Sequence, residues 1–352
     1  MFSGIFFSIS RAACGMREYL GRRAGAPLAL TGVLLASNAG LSCAQSAAPA
    51  SAAPAPAWPT RTIRAIVPFS IGSTVDIIGR IVMEPLSAQL GQQILVENRG
   101  GAGGTIGTLQ VAQAEPDGYT LLIHASAHSA APASYPKLSY DTAGDFAGIA
   151  VFGNVPNVTV ISPAKGIRRL RDLVEAGRKS NLTYASAGVG SATHWAAERL
   201  RLAAGMEVTH IPFRGGPEAL TEVVTGRVDF MSIGISSGLP MIRDGRLLAL
   251  AVNTGKRSVS LPNVPTTLES GFADSDYTFW NGILAPAKTP RAVVERLHQE
   301  IQKVLALPAV REKFAHQGVE PMPLSPGEFD ALIRREIQTN QALVKAANLK
   351  FN

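Results

Sequence analysis

From Trp58 onward, short runs rich in β-branched residues alternate with longer stretches in which apolar positions recur every three or four residues. The short runs predict strands at 63–69, 94–98 and 120–124, and the longer ones predict helices at 75–90 and 104–114. Strand and helix in strict alternation imply a parallel sheet built from βαβ units. A second set follows, with strands expected at 157–162, 183–186, 208–211, 228–233 and 247–252 and helices at 167–179, 192–204 and 218–225. After an extended run at 277–284 the pattern turns helical, at 290–305, 309–316 and 326–347. Such a tail cannot form a core alone and must pack on an earlier lobe. The chain is therefore expected to cross between two α/β lobes twice, near Pro156 and near Phe279, and two crossings make a hinge. The implied boundaries are 58–156 plus 280–352 for the first lobe and 157–279 for the second.

The first 44 residues break this pattern and are set aside. Arg17, Arg22 and Arg23 form a basic start, residues 24–36 a mostly apolar run, and Ser42-Cys43-Ala44 a small-residue cleavage site before Gln45, the order of a secretory signal peptide. A membrane anchor needs about 20 apolar residues, and Pro27, Ser37 and Asn38 interrupt this run. Cys43 leaves a lipoprotein alternative open, although Gly40-Leu41-Ser42 is a poor lipobox. Residues 45–57, rich in Ala, Pro and Ser, read as an extended linker.

Composition narrows the function. A chain of 352 residues with 46% hydrophobic and 17% charged residues is a folded protein, and cores stop growing at about 250–300 residues, which again favours two lobes. Cleavage after Ala44 would remove both cysteines, Cys14 and Cys43, and with them disulfide and thiol chemistry. It would also remove four arginines and one glutamate, taking the formal charge from +7 to +4, with no basic run left to hold a nucleic acid.

Candidate chemistry lies where strands hand over to helices. After the first strand comes PFSIGSTVD (68–76): Gly72 allows a tight turn, Ser73 or Thr74 can cap a helix, and Asp76 falls in its first turn. After residues 183–186 comes AGVGSATH (187–194), in which Gly188 and Gly190 let backbone approach a ligand and Ser191 or Thr193 opens a helix. Either is an anion-binding helix start or an ordinary capped one. Ligands collect outside the carboxyl ends of parallel strands, so two such starts facing across a cleft would grip a carboxylate from both sides.

Other motifs compete. GISSG (234–238) satisfies Gly-x-Ser-x-Gly, and Asp244 or Asp274 followed by His298 or His316 gives a hydrolase order for an esterase built on Ser236, without the upstream oxyanion segment. The glycines of 100–104 fail the dinucleotide fingerprint at Ile106 and read as a turn opening a helix. His124 and His128 straddle a strand end, where a spacing of four does not put both on one helical face, so neither a metal nor a cofactor is expected.

The motifs IRAIVPFSIGSTVDIIGRI, LGQQILVENRGGAGGTIGT, PDGYTLL, SAGVGSATH and IPFRGGPEALTEVVTGRVDFM, followed by IRDGRLLALAV, KRS, LPNVPTTLESG and ILAPAKTP, resemble in order those of the substrate-binding proteins of tripartite tricarboxylate transporters, the Bug receptors. The resemblance spans the chain from Trp58 to its end. It implies a type II periplasmic-binding-protein clamshell: two α/β lobes joined by a two-segment hinge, monomeric, without catalysis. It further implies that a small mono- or dicarboxylate is delivered to membrane permease subunits; a receptor that reports to a signalling partner stays open. Carried over by position, the ligand residues are Ser70, Ile71, Gly72, Ser73, Thr74 and Asp76 in the first loop and Gly188, Gly190, Ser191, Thr193 and His194 in the second. Phe213, Arg214 and Gly215 follow the next strand, and Ser232 and Ser236 the one after. Two departures matter. Ser70-Ile71-Gly72-Ser73 replaces the family's frequent Pro-Pro-Gly-Gly, and Ser232-Ile233-Gly234 stands where many members carry an acid or amide. The second weakens the case for an amino-acid ligand, leaving Asp76 as the nearest partner for an ammonium, with helix-start electrostatics as its other role. Arg214 is the candidate for a second ligand charge, or else a solvated loop arginine.

Overall fold

The computed structural model describes residues 58–346 and 349; the signal-peptide and linker readings for residues 1–57 lie outside them. The strand β1 (Ile63–Val67) is buried on both faces, which is why its sequence is nearly continuous in apolar residues. It pairs in parallel with β2 (Ile94–Asn98) and β3 (Thr120–Ala125), and α1 (Thr74–Leu90) and α2 (Thr105–Ala112) supply the two crossovers. With β4 (Phe146–Asn154) and β10 (Trp280–Pro286) they complete a five-stranded sheet ordered β2-β1-β3-β10-β4. The helix α3 (Ala127–Ser134) follows β3.

The second sheet repeats the plan. Its strands are β5 (Asn157–Ile161), β6 (Leu182–Ser186), β7 (Val208–Pro212), β8 (Phe230–Gly234) and β9 (Leu248–Val252), ordered β7-β6-β8-β5-β9. The helix α4 (Leu170–Lys179) precedes β6; α5 (Ala192–Ala204) joins β6 to β7, α6 (Gly216–Val224) joins β7 to β8, and α7 (Ile235–Arg243) follows β8. The expected parallel sheets are thus mixed: β10 runs antiparallel to β3 and β4, and β5 antiparallel to β8 and β9. The reason is topological. In each sheet the antiparallel strand is the one that enters from the other lobe, so the chain threads both sheets through the hinge.

The crossings lie side by side. The chain leaves the first sheet at Val155–Pro156 and returns through 277–279, where the Val155 N–H donates to the Phe279 carbonyl and the Phe279 N–H to the Asn154 side-chain oxygen, each at 2.9 Å. The sequence pattern missed α3, β4 and α7. Pro132 sits inside α3, Gly148 and Gly153 inside β4, and Gly238 and Pro240 inside α7, so each carries a residue that ordinarily interrupts its own kind of element.

The tail packs on the first lobe. α8 (Arg291–Ala306) joins α1 on one face through Val294, Leu297, Ile301 and Val304, and α9 (Pro308–His316) adds Val310 and Phe314 there. α10 (Pro326–Ala346) covers the other face, where Phe329, Leu332 and Ile333 meet Ile66, Leu122 and Trp280. Phe329 is fully buried and stands edge-on to Trp280, with ring centroids 4.9 Å apart. Phe329→Ala should therefore cost about 3–5 kcal/mol of stability, read as a lower urea midpoint; a midpoint within experimental error of wild type would show that α10 does not close this core.

Candidate ligand-binding cleft

The two helix starts picked out by sequence have equivalent positions, α1 following β1 and α5 following β6, each the second strand of its sheet. At the first, the Ser73 hydroxyl caps α1 by accepting the Asp76 N–H at 3.4 Å. At the second, the Ser191 hydroxyl caps α5 by accepting the His194 N–H at 3.3 Å. Gly188 and Gly190 reach this cap with φ of +114° and +74°, values that only glycine adopts without strain. The N-cap hydroxyls satisfy the third N–H of each helix. The first two, on Thr74 and Val75 and on Ala192 and Thr193, have no carbonyl to reach within their helices.

All four of those residues line one cavity of about 30 Å³ between the lobes, together with Ser73 and Ser191. Phe69, Ala125, Ala127, Ile233 and Phe279 close it with apolar surface. No charged side chain lines it. A helix N-terminus carries about half a positive charge, so two of them at a chamber without charged side chains favour an anion over a cation. At Ala187 the cavity meets an outer groove of about 670 Å³, walled by Gly103, Tyr135, Val189, Phe213 and Arg214. Across the cleft, the Thr74 hydroxyl lies 3.0 Å from that of Ser237, at the start of α7.

The remaining predicted residues distribute around this chamber. Asp76 does not line it; its carboxylate accepts the Gly72 N–H at 2.9 Å, Arg80 Nε at 2.8 Å and the Asn98 amide at 2.9 Å, which fastens the first loop to the body of the lobe. Ile71 points outward and is 72% exposed. The Ser70 hydroxyl is buried against Gly215 of the opposite lobe. In the second loop, the Thr193 hydroxyl accepts the Ala187 N–H at 2.9 Å, the Gly188 N–H donates to the Ser186 hydroxyl at 3.1 Å, and the Gly190 N–H donates to His194 Nδ1 at 3.0 Å. These glycine amides shape the loop and leave the helix amides for a ligand. Phe213 and Arg214 reach the outer groove and not the inner cavity. Ser232 is buried in its sheet, 3.1 Å from the Thr159 hydroxyl, and Ser236 is buried beside the chamber without lining it. Val75, Ala192 and Phe279 were missed, because backbone amides and a hinge aromatic leave no mark in residue type.

His194 stacks on His210 with ring centroids 4.0 Å apart, and His210 stacks on Tyr184 at 4.8 Å. Burial, then the neighbouring His210 and Arg201 charges, pushes His194 down to about 2, and burial lowers His210 to about 4. His194 is therefore a neutral ring whose Nδ1 stays an acceptor for Gly190.

Competing chemistries lack their parts. The Ser236 hydroxyl has no hydrogen-bond partner; His298 bonds the Ile149 carbonyl of the first sheet at 2.8 Å, and His316 ends α9 on that same lobe. Among the described residues, no group of three or more His, Cys, Asp or Glu gathers as metal ligands. The 100–104 glycines form a tight turn leading into α2.

Residues 78–349 match the sequence profile described as Tripartite tricarboxylate transporter family receptor, TctC. The chain belongs to this family. The TctC-family receptor is 35% identical over 317 residues to the UPF0065 protein of the tcbD-tcbE intergenic region of Pseudomonas sp. (strain P51), covering 89% of this chain and 94% of that one. It is 33% identical to Protein BugT of Bordetella pertussis, covering 92% and 98%. Among solved structures, the periplasmic binding protein BugD aligns with a TM-score of 0.80 at 32% identity, covering 83% of this chain and 99% of that one. An R. palustris protein, Rpa4515, with adipate aligns at 0.80 and 29% (83% and 99%), and MatC from Rhodopseudomonas palustris with bound malate at 0.77 and 30% (82% and 100%). The clamshell of two α/β lobes with a two-segment hinge is thus this family's fold, and the protein is a solute-binding receptor and not an enzyme.

The depressed histidines fix the direction of the pH response. Each ring is neutral in the fold but takes a proton near 6.5 when unfolded, so the stability held by the pair is complete above about pH 6.5 and falls as pH drops toward 4. Ring carbon shifts of His194 and His210 should not titrate between about pH 5 and 8 in the folded receptor; a midpoint near 6.5 at either ring would overturn the assignment of His194 as a neutral acceptor.

Proposed function

We propose that this receptor works in the periplasm, captures a small mono- or dicarboxylate between its lobes, and hands it to the membrane subunits of a tripartite tricarboxylate transporter, acting as a monomer. The observation that carries this reading is that the first residues of α1 and α5, Thr74, Val75, Ala192 and Thr193, line one chamber with no charged side chain among its described lining residues. A carboxylate offers lone pairs to all four and meets the positive ends of α1 and α5. Charge-assisted bonds of this kind are worth about 1.5–3 kcal/mol each, but only where water is excluded, so closure of the hinge is part of binding. The adipate and malate bound to structural relatives are consistent with this ligand class. The ligand's tail would run past Ala187 into the outer groove, where Arg214 meets a second carboxylate if there is one. In the inner chamber an ammonium meets no carboxylate, since Asp76 does not line it and the Asp76 oxygens are already engaged; Glu218 stands in the outer groove.

The amides can be tested directly. Ala192 is the first residue of α5, and Ser191 before it has φ −67° and ψ 161°, a conformation proline accepts in its predecessor. Ala192→Pro should remove one donor while keeping the helix and weaken carboxylate binding about tenfold to a hundredfold, whereas Ala192→Gly, which keeps the N–H, should bind like wild type. Calorimetry against a panel of C2 to C6 mono- and dicarboxylates measures this, and equal affinities for the proline and glycine variants would refute the site. Arg214→Ala should weaken dicarboxylates and leave monocarboxylates unchanged; an equal loss for both classes would remove Arg214 from ligand recognition.

A further inference from the structure

The second ligand loop is held from outside its own lobe. Tyr135, just past the end of α3 in the first lobe, donates its hydroxyl to the Val189 carbonyl in the second at 2.7 Å. The adjacent Ser134 hydroxyl accepts the indole N–H of Trp195, from α5, at 3.0 Å. The Val189–Gly190 peptide is also gripped at its other end, because the Gly190 N–H donates to His194 Nδ1 at 3.0 Å. A trans peptide carries its C=O and N–H on opposite sides, so one bond from across the cleft and one from within the lobe fix the tilt of this plane.

The socket that receives the loop is built to contact distance. A Cβ added at Gly190 would lie 2.8 Å from Ser134 Cβ and 2.9 Å from the Tyr135 ring, and one at Gly103 would overlap the Val189 carbonyl oxygen itself. Burial raises the Tyr135 hydroxyl to about 12, which keeps it protonated as a donor. Trp195 is fully buried in the same apolar cluster as Phe69, Ala127 and Ala130 of the first lobe. Two residues beyond the clamped peptide come Ala192 and Thr193, which line the chamber.

We infer that Tyr135 is a positioning residue: its hydrogen bond to Val189 favours the closed clamshell before ligand arrives and sets the tilt of the 188–191 loop, so that the α5 amides take aim only when the lobes meet. The link to affinity rests on the carboxylate-receptor reading above; the effect on closure does not. A receptor that binds in its closed state has an apparent affinity scaled by the fraction already closed, so removing the bond weakens binding even though all four chamber amides remain in place.

The test places nitroxide labels on the exposed positions Lys137→Cys and Glu207→Cys, one on each lobe, in the chain beginning at Gln45, which has no other cysteine. Pulsed dipolar distances are compared for Tyr135 and Tyr135→Phe, with Ser134→Ala as a second variant of the same socket, and calorimetry with adipate and with malate runs in parallel. Without ligand, the parent should show a short-distance population whose ratio to the open one falls about fivefold to tenfold in Tyr135→Phe, the loss expected for one neutral hydrogen bond. The Kd for whichever acid binds should rise by no more than that factor, while the thermal midpoint stays within the scatter of the parent. Unchanged distances in both variants, or a parent that is wholly open without ligand, would overturn the latch. A distance shift in a protein that binds neither acid would support the latch and count against the carboxylate reading instead.

Discussion

The first two N–H groups of α1 and of α5 have no acceptor within their own helices, and the fold brings the residues that carry them, Thr74, Val75, Ala192 and Thr193, to one chamber. Buried without a partner, each would cost about 1–3 kcal/mol. On the proposed reading a guest with lone pairs meets these groups, and polar side chains nearby are engaged elsewhere. Asp76 is near enough to compete, but its oxygens are taken by Gly72, Arg80 and Asn98. The N-cap hydroxyls of Ser73 and Ser191 stop at the third amide and leave the first two open. His194, kept neutral by burial, takes the Gly190 amide out of play.

The topology explains how two such helix starts come to face each other. Each sheet has the same order, with a parallel strand in second place that hands its chain to a capped helix, and with an antiparallel strand that arrives from the other lobe. Because β5 and β10 are each embedded between strands of the sheet they enter, neither lobe can leave without unzipping a sheet. Relative motion is confined to the paired crossing segments, where Val155 and Phe279 are bonded to each other. Closure then sets α1 against α7 through Thr74 and Ser237, and α5 against α3 through Trp195 and Ser134, a crossed pairing that mirrors the repeated plan of the sheets.

Selectivity and capture are divided in space. The inner chamber is uncharged and small, so it distinguishes an anionic headgroup from everything else but says little about what is attached to it. The outer groove is wide and carries Arg214 and Glu218, so on the proposed reading length and second charge are read there. In the first loop Ile71 stands on the surface and Ser70 packs on Gly215, and neither lines the chamber.

Most of the α/β alternation was legible along the chain, as were the two capped helix starts, because hydrophobic period and the Gly-Ser capping chemistry are local properties. The elements that escaped, α3, β4 and α7, carry Pro132, Gly148, Gly153, Gly238 and Pro240, whose local preference runs against their element and is overridden by packing between sheet and neighbouring helices. Ser232 and Ser236 were expected at the ligand; Ser232 is buried in β8 beside Thr159 and Ser236 in α7, and neither lines the inner chamber. Residue order alone was enough for the succession of strands and helices, the absence of thiols beyond Cys43, and the pair of anion-ready loops. Folding in three dimensions settled which helix starts share one chamber, and that Tyr135 meets Val189 and Thr74 meets Ser237. The reason is physical: every residue but proline carries the same N–H, so its availability depends only on what folding brings near it.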